Sequence, residues 1–250
     1  MTGYEGKFDF PARSQGPRLA YLLASVPRAG STFLSHLLWR SGCLGAPLEY
    51  LNFEPAGPYG FAATSPPLQR QLWRSVLCRR CSQNGVFGLK AFPPQLEQLK
   101  RRNPPLLDQV MTTVLPRQAQ RRVIHLRRRD RVAHAVSYAR ASMSGIWRKE
   151  QENSAARPIE YSIEALEAAE RGIEFQEAVW EQMFGELGLE ALTIWHEDVV
   201  SDGDAVVRAV ADYLGVTIDP GSGVEVPPVE KQSEGDSLAW AERYASTRSS

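Results

Sequence analysis

What the chain lacks narrows its class before any motif is considered. Cysteine is scarce, with three in 250 residues, at Cys43, Cys78 and Cys81. Cys78-Arg-Arg-Cys81 has the spacing of half a zinc site, but a structural zinc takes four ligands and no second pair exists. Reduced thiols on a helix are expected there, and no metal. Charge of either sign is not in excess: Lys+Arg and Asp+Glu both number 29. That balance removes the electrostatic case for nucleic acid or an anionic membrane surface as partner. No apolar run approaches the roughly 20 residues that a membrane-crossing helix takes. The opening Met1-Thr-Gly-Tyr-Glu-Gly-Lys-Phe8 lacks the apolar centre of a signal peptide. A cytoplasmic protein with no membrane span is expected. Repeats and low-complexity tracts are also missing, so one domain over residues 1–250 is expected, with 1–17 and 246–250 loosely ordered.

What is present begins at Leu19-Ala-Tyr-Leu-Leu-Ala-Ser25, an apolar run that reads as a buried strand. Val26-Pro-Arg-Ala-Gly30 reads as a tight turn, and Ser31 onward as a helix over about residues 31–41. A strand, a tight turn and a helix N-terminus direct successive backbone N–H groups at one point, the arrangement of an anion-binding loop. Laid over the nucleotide-triphosphate pattern G-x-x-x-x-G-K-[ST], Ser25 takes the first glycine, Gly30 the second and Thr32 the last place. Ser31 stands where the lysine should be, and Arg28 supplies a cation earlier in the turn. The string Pro27-Arg28-Ala29-Gly30-Ser31-Thr32 resembles the 5′-phosphosulfate loop of sulfotransferases that use 3′-phosphoadenosine-5′-phosphosulfate (PAPS).

A second landmark is the basic run from Arg122 to Arg131. Val123 to Leu126 is a short strand candidate, and Asp130 is placed to cap the helix after it. The arginines therefore gather at the C-terminal end of a strand, where open α/β sheets hold their ligands. Ser137 lies seven residues beyond Asp130, two helical turns on, and so shares its face. Arg127, Arg129 and Arg131 read as an ordinary solvated basic run. Arg128 and Ser137 stand nine apart, which is similar to the R-x(8)-S spacing that sulfotransferases use for the donor's 3′-phosphate.

The order of further segments resembles the bacterial trehalose 2-sulfotransferase family more narrowly. Those segments are Tyr21 to Thr32, Gly45-Ala-Pro-Leu-Glu-Tyr50, Asn84-Gly-Val-Phe-Gly-Leu-Lys90, His125 to Ala141, Ile146-Trp-Arg148, and Glu230-Lys-Gln with Trp240-Ala-Glu-Arg-Tyr244. The resemblance implies a P-loop-like, three-layer sulfotransferase fold with a mainly parallel central sheet flanked by helices. It implies Glu49 as the base that takes the proton of an acceptor hydroxyl, with Glu54 the neighbouring substitute. A sugar hydroxyl is far too weak an acid to ionise before attack, so such a base is needed. Lys90, ending the apolar run Val86 to Leu89, is implied as a neutraliser of sulfuryl or bridging oxygen charge. PAPS as donor, 3′,5′-bisphosphoadenosine (PAP) as product, a sugar or glycoside hydroxyl as acceptor, and a homodimer are implied in the same way.

A coarse pass supports an α/β domain. Helices are expected near 67–80 and 94–102, before Arg117, over Glu160 to Leu187, and over Ala205–Leu214 behind the cap Ser201-Asp-Gly-Asp204. Gly45 to Pro67 is too long for a plain connection and reads as acceptor wall plus base. Met143 to Pro158 reads as a lid or loose loop, and His196-Glu-Asp198 as an acidic signature after the strand Ala191 to Trp195. Two other functions fit the loop alone: a small-molecule kinase using ATP, or a catalytically silent PAP-binding protein.

Overall fold

The structure is a computed structural model that describes residues 2–117, 120–147, 159–229 and 237–248. Four strands, β1 (Leu19–Ser25), β2 (Val86–Ala91), β3 (Arg122–Arg127) and β4 (Ala191–Trp195), pair in the order β2-β1-β3-β4 among the described residues. Every pairing is parallel. Parallel neighbours cannot be joined by a tight hairpin, so each return passes through helices that cover the sheet.

The alternation of β1 shows how the layers form. Ala20, Leu22 and Ala24 join one core cluster with Phe87, Leu89, Trp73, Leu99, Val110 and Trp180. Tyr21 and Leu23 join the opposite cluster with Ile124, Leu126, Leu34, Leu38, Val207 and Val210. Successive side chains leave a strand on opposite faces, so a wholly apolar strand must be buried on both. The first face is covered by α2 (Pro66–Arg79), α3 (Pro93–Arg102), α4 (Pro104–Val114) and α6 (Ile163–Leu187). The second is covered by α1 (Ser31–Arg40) and α8 (Gly203–Leu214). The short α7 (His196–Ser201) follows β4 directly, and α5 (Arg131–Ser144) packs with α6 and α9 (Ser237–Arg248) in a satellite cluster around Trp240 and Tyr244.

Some sequence expectations shift. Asp202, not Ser201, caps α8 through Ala205 N–H, and the helix starts at Gly203. Met143 and Ser144 belong to the last turn of α5, while 148–158 lie outside the described residues. Cys81 falls beyond the end of α2, buried, and Cys78 is exposed. Helix α9 runs through Ser246 to Arg248, where fraying was expected.

The N-terminal segment, expected to be loose, is docked from Thr2 onward. Arg80 is 3% exposed; it pairs with Asp9 at 2.8 Å and donates to the carbonyls of Gly3 and Glu5. Buried charge must be matched by acceptors, and here the segment supplies them. Phe10 is buried as well. Among the described residues no helix is long and apolar enough to cross a membrane.

Candidate active site

The turn between β1 and α1 carries two residues with left-handed backbone, Arg28 at φ 71° and Gly30 at φ 85°. Positive φ costs a non-glycine residue of order 1 kcal/mol or more, and such strain concentrates at ligand clamps. A Cβ on Gly30 would also overlap the His196 imidazole, so the position accepts glycine alone. Alternating handedness curls the backbone into a concave nest of N–H groups, continued by the first turn of α1. Pro27 and Ala29 shape this turn through their backbone groups. The Pro27 carbonyl accepts from His134 Nε2 at 2.9 Å, and Ala29 N–H donates to the Val26 carbonyl at 3.2 Å. Ser31 is buried at the start of α1, and Thr32 is exposed beside it.

Beside the loop, the ends of β3 and α5 sort their arginines. Arg127 and Arg131 both pair with the buried Glu177 of α6, at 2.9 and 2.8 Å. These ion pairs hold the Glu177 carboxyl below the usual carboxylate range even though burial works against them. Arg129 clasps Asp198 with two hydrogen bonds, at 2.6 and 3.0 Å. Arg128 is different. Among the described residues it has no ion pair, its Nε–H is buried without an acceptor, and its Nη1 reaches only the Arg28 carbonyl at 3.4 Å. Burial pushes its guanidinium below the ordinary arginine value, with Asp130 and Glu197 pulling the other way. A buried guanidinium with an unused donor suits an anionic ligand such as a phosphate.

Ser137 lies in the same cluster, but its hydroxyl accepts from Arg28 Nε at 2.9 Å, and Arg28 Nη1 donates to the Trp147 carbonyl at 3.0 Å. From sequence, Arg28 is expected at the 5′ end of a donor and Ser137 at its 3′ end. The structure joins the two by a hydrogen bond, so Arg28, Arg128 and Ser137 form one patch.

Glu49 reaches the site because the chain before it lies along the edge of β2. Leu48 forms a parallel bridge with Leu89, and Lys90 N–H donates to the Leu48 carbonyl at 3.1 Å. The approach depends on Gly88, where a Cβ would strike Tyr21 and Pro47. Lys90 Nζ then lies 3.0 Å from Glu49 Oε1 and 3.2 Å from Thr32 Oγ1, with the lysine 2% exposed. Asn52 and Gln95 donate to Glu49 Oε2 at 3.3 and 3.2 Å. Glu49 N–H donates to the Tyr4 hydroxyl at 3.2 Å, which brings the N-terminal segment into the wall. Glu54 is exposed and accepts from Gln98 instead. Glu49, Lys90 and the loop thus meet, and Glu54 stands apart from Lys90.

A family model described as Stf0 sulphotransferase matches residues 20–247. The chain belongs to the Stf0 sulphotransferase family. Two relatives carry the name trehalose 2-sulfotransferase. The one from Mycobacterium tuberculosis is 28% identical, over 90% of this chain and 93% of its own length. The one from Mycolicibacterium smegmatis is 27% identical, over 90% and 94%. The sulfotransferase domain of the Synechococcus PCC 7002 olefin synthase aligns at a TM-score of 0.45 and 17% identity, over 94% of this chain and 98% of that one. Family membership sets aside the ATP-kinase alternative.

Several groups that build this candidate site were not singled out from sequence. His134 ties α5 to the loop, and Glu177 braces two arginines from a helix far along the chain. His196-Glu-Asp198 was singled out, and its acids brace the arginine turn. Glu197 accepts the backbone N–H groups of Arg129 and Asp130, each at 3.1 Å, while Asp198 takes the Arg129 side chain. The only readable signal for His134 was its place one helical turn past the cap Asp130.

Proposed function

We propose that this sulfotransferase moves the sulfuryl group of PAPS to a hydroxyl of a sugar or glycoside, releasing PAP. The observation that carries the reading is Lys90, whose ammonium touches both the Glu49 carboxylate and Thr32 of the loop. It joins an acceptor-side base to a donor-side cradle in one buried contact. The fit of the donor rests on the left-handed nest at Arg28 and Gly30 and on the unused Nε–H of Arg128.

The residues divide the work as follows. The amides around Gly30, Ser31 and Thr32 face the 5′-phosphosulfate, on the turn that Pro27 and Ala29 shape. Arg128 and Ser137 hold the 3′-phosphate, and Arg28 bridges the two ends. Charge-assisted hydrogen bonds contribute roughly 1.5–3 kcal/mol each, so a handful supplies strong donor binding. Glu49 takes the acceptor's proton as its oxygen bonds to sulfur, and the bond from sulfur to the bridging phosphate oxygen breaks. That electron pair leaves on PAP, where Lys90 and the loop amides offset the developing charge. Arginine and backbone donors already supply the neutralisation that magnesium gives in kinases, so no metal enters the scheme. Its sugar acceptor is inferred from the two relatives' names. A cytoplasmic location fits a donor made and recycled there, and the homodimer implied by resemblance is open to sedimentation analysis.

The test is incubation with PAPS and a panel of trehalose, other glycosides and simple alcohols, read by mass spectrometry. One added SO3 on a sugar together with released PAP is expected. Tight PAP binding with no transfer to any acceptor would instead mark a silent binding protein.

A further inference from the structure

The third residue of α3 is a glutamine locked in one orientation by the helix it caps. Gln95 Oε1 accepts the Phe92 backbone N–H at 3.1 Å, which satisfies one of the free donors at the start of α3. With the oxygen committed there, the amide NH2 is turned the other way, and its Nε2 lies 3.2 Å from Glu49 Oε2. A flipped amide would set NH2 against the Phe92 N–H and oxygen against a carboxylate, so the hydrogen-bond network selects this orientation alone.

We propose that Gln95 is the positioning residue of the reaction base: it fixes the plane of the Glu49 carboxylate and keeps it ready to accept a proton. This rests on Glu49 being that base. Asn52 donates to the same oxygen at 3.3 Å, but from the irregular stretch that carries Glu49 itself. Gln95 acts from a separate, regular helix, so it ties the base to the scaffold. Among the described residues, the titratable side chains in contact with Glu49 include Lys90 on β2, at 3.0 Å from the carboxylate, and Tyr4, whose hydroxyl accepts the Glu49 backbone N–H.

Gln95→Glu separates capping from aiming. Glutamate caps this helix position as well as glutamine does, and an acidic first turn suits the helix dipole. It has no N–H to offer Glu49 and sets a second carboxylate against it. Thermal stability should hold and PAP affinity should stay within about twofold, while kcat falls about tenfold or more. The acidic limb of the kcat profile should move up by about one pH unit or more. Acceptor KM should change less than kcat.

Gln95→Met removes donor and cap together without adding charge, and should move the limb in the same direction by less. A pure capping role predicts the reverse: a parental Gln95→Glu, and a destabilised Gln95→Met with an unmoved profile. That result overturns the inference. Glu49→Gln is measured alongside. If it loses turnover while Gln95→Glu keeps the parental profile, only the Gln95 inference falls. If Glu49→Gln keeps turnover, the base assignment falls and takes the inference with it.

Discussion

Among the described residues, side chains from three parts of the chain hold the Glu49 carboxylate, Lys90, Asn52 and Gln95. A carboxylate placed with such care invites the simplest substitution. Glu49→Gln keeps size and most hydrogen bonds but cannot take a proton at neutral pH. Turnover should fall roughly 10²–10⁴-fold, the worth of a positioned acid–base group. PAP affinity, measured by calorimetry, should barely change. A loss confined to kcat marks a transition-state role, and a rise in KM alone marks acceptor binding. Turnover within about threefold of the parent would remove Glu49 from the mechanism and pass the question to Glu54. At this scale the sequence was informative wherever the chemistry is local. Arg28, Gly30 and Thr32 lie in one turn, and a turn has a readable pattern. Gln95 had none, because α3 meets Glu49 only after both pack against β2.

The loop and the arginine turn leave neighbouring strands, β1 and β3, and meet through Arg28 and Ser137. Arg128→Ala should weaken binding of 3′-phosphorylated nucleotides and spare analogues that lack the 3′-phosphate. Arg28→Ala should weaken both kinds, because its guanidinium reaches Ser137 while its backbone shapes the nest. Calorimetry with PAP and with AMP separates the cases, and an equal loss of both ligands in Arg128→Ala would move the 3′ grip elsewhere. Strand ends and helix starts were legible here, since Asp130 does cap α5 through Ala133 N–H. Arg128 was set apart from sequence by its spacing to Ser137, but the ion pairing of its neighbours was not legible. Arg127, Arg129 and Arg131 read as solvated, yet their carboxylate partners come from α6 and α7, dozens of residues away. Pairing of that kind follows from tertiary packing rather than local pattern.

At the scale of the whole molecule, two of the buried imidazoles, His125 and His134, favour the neutral form. Burial pushes His125 and His134 down to about 4 from the ordinary 6.5. The unfolded chain therefore binds more protons than the folded one through that interval. Stability from both groups is complete above the unfolded value and is lost as pH falls from 6.5 toward 4. Urea unfolding should show a loss of roughly 2 kcal/mol per imidazole between pH 7 and 5. Equal stability at the two pH values would mean that both rings take up protons in the fold as readily as in the unfolded chain, and half the loss that one of them does. The core behind them was legible as an α/β alternation, and the docking of residues 2–10 was not. Nothing local in Arg80 announces that the N-terminal carbonyls and Asp9 will be its partners. The two sides of the candidate site are also held very differently. The loop side rests on five registered pairs between β1 and β3, from Tyr21↔Arg122 to Ser25↔Leu126. Glu49 hangs beside a single bridge, Leu48↔Leu89. A ladder cannot be respaced without dismantling the sheet, whereas irregular surface chain tolerates exchange and insertion. For an engineer the molecule is thus a fixed handle with a replaceable bit. New segments in place of residues 54–58, which lie outside the core, are expected to alter the Glu49 side of the site while leaving the β1–α1 loop unchanged.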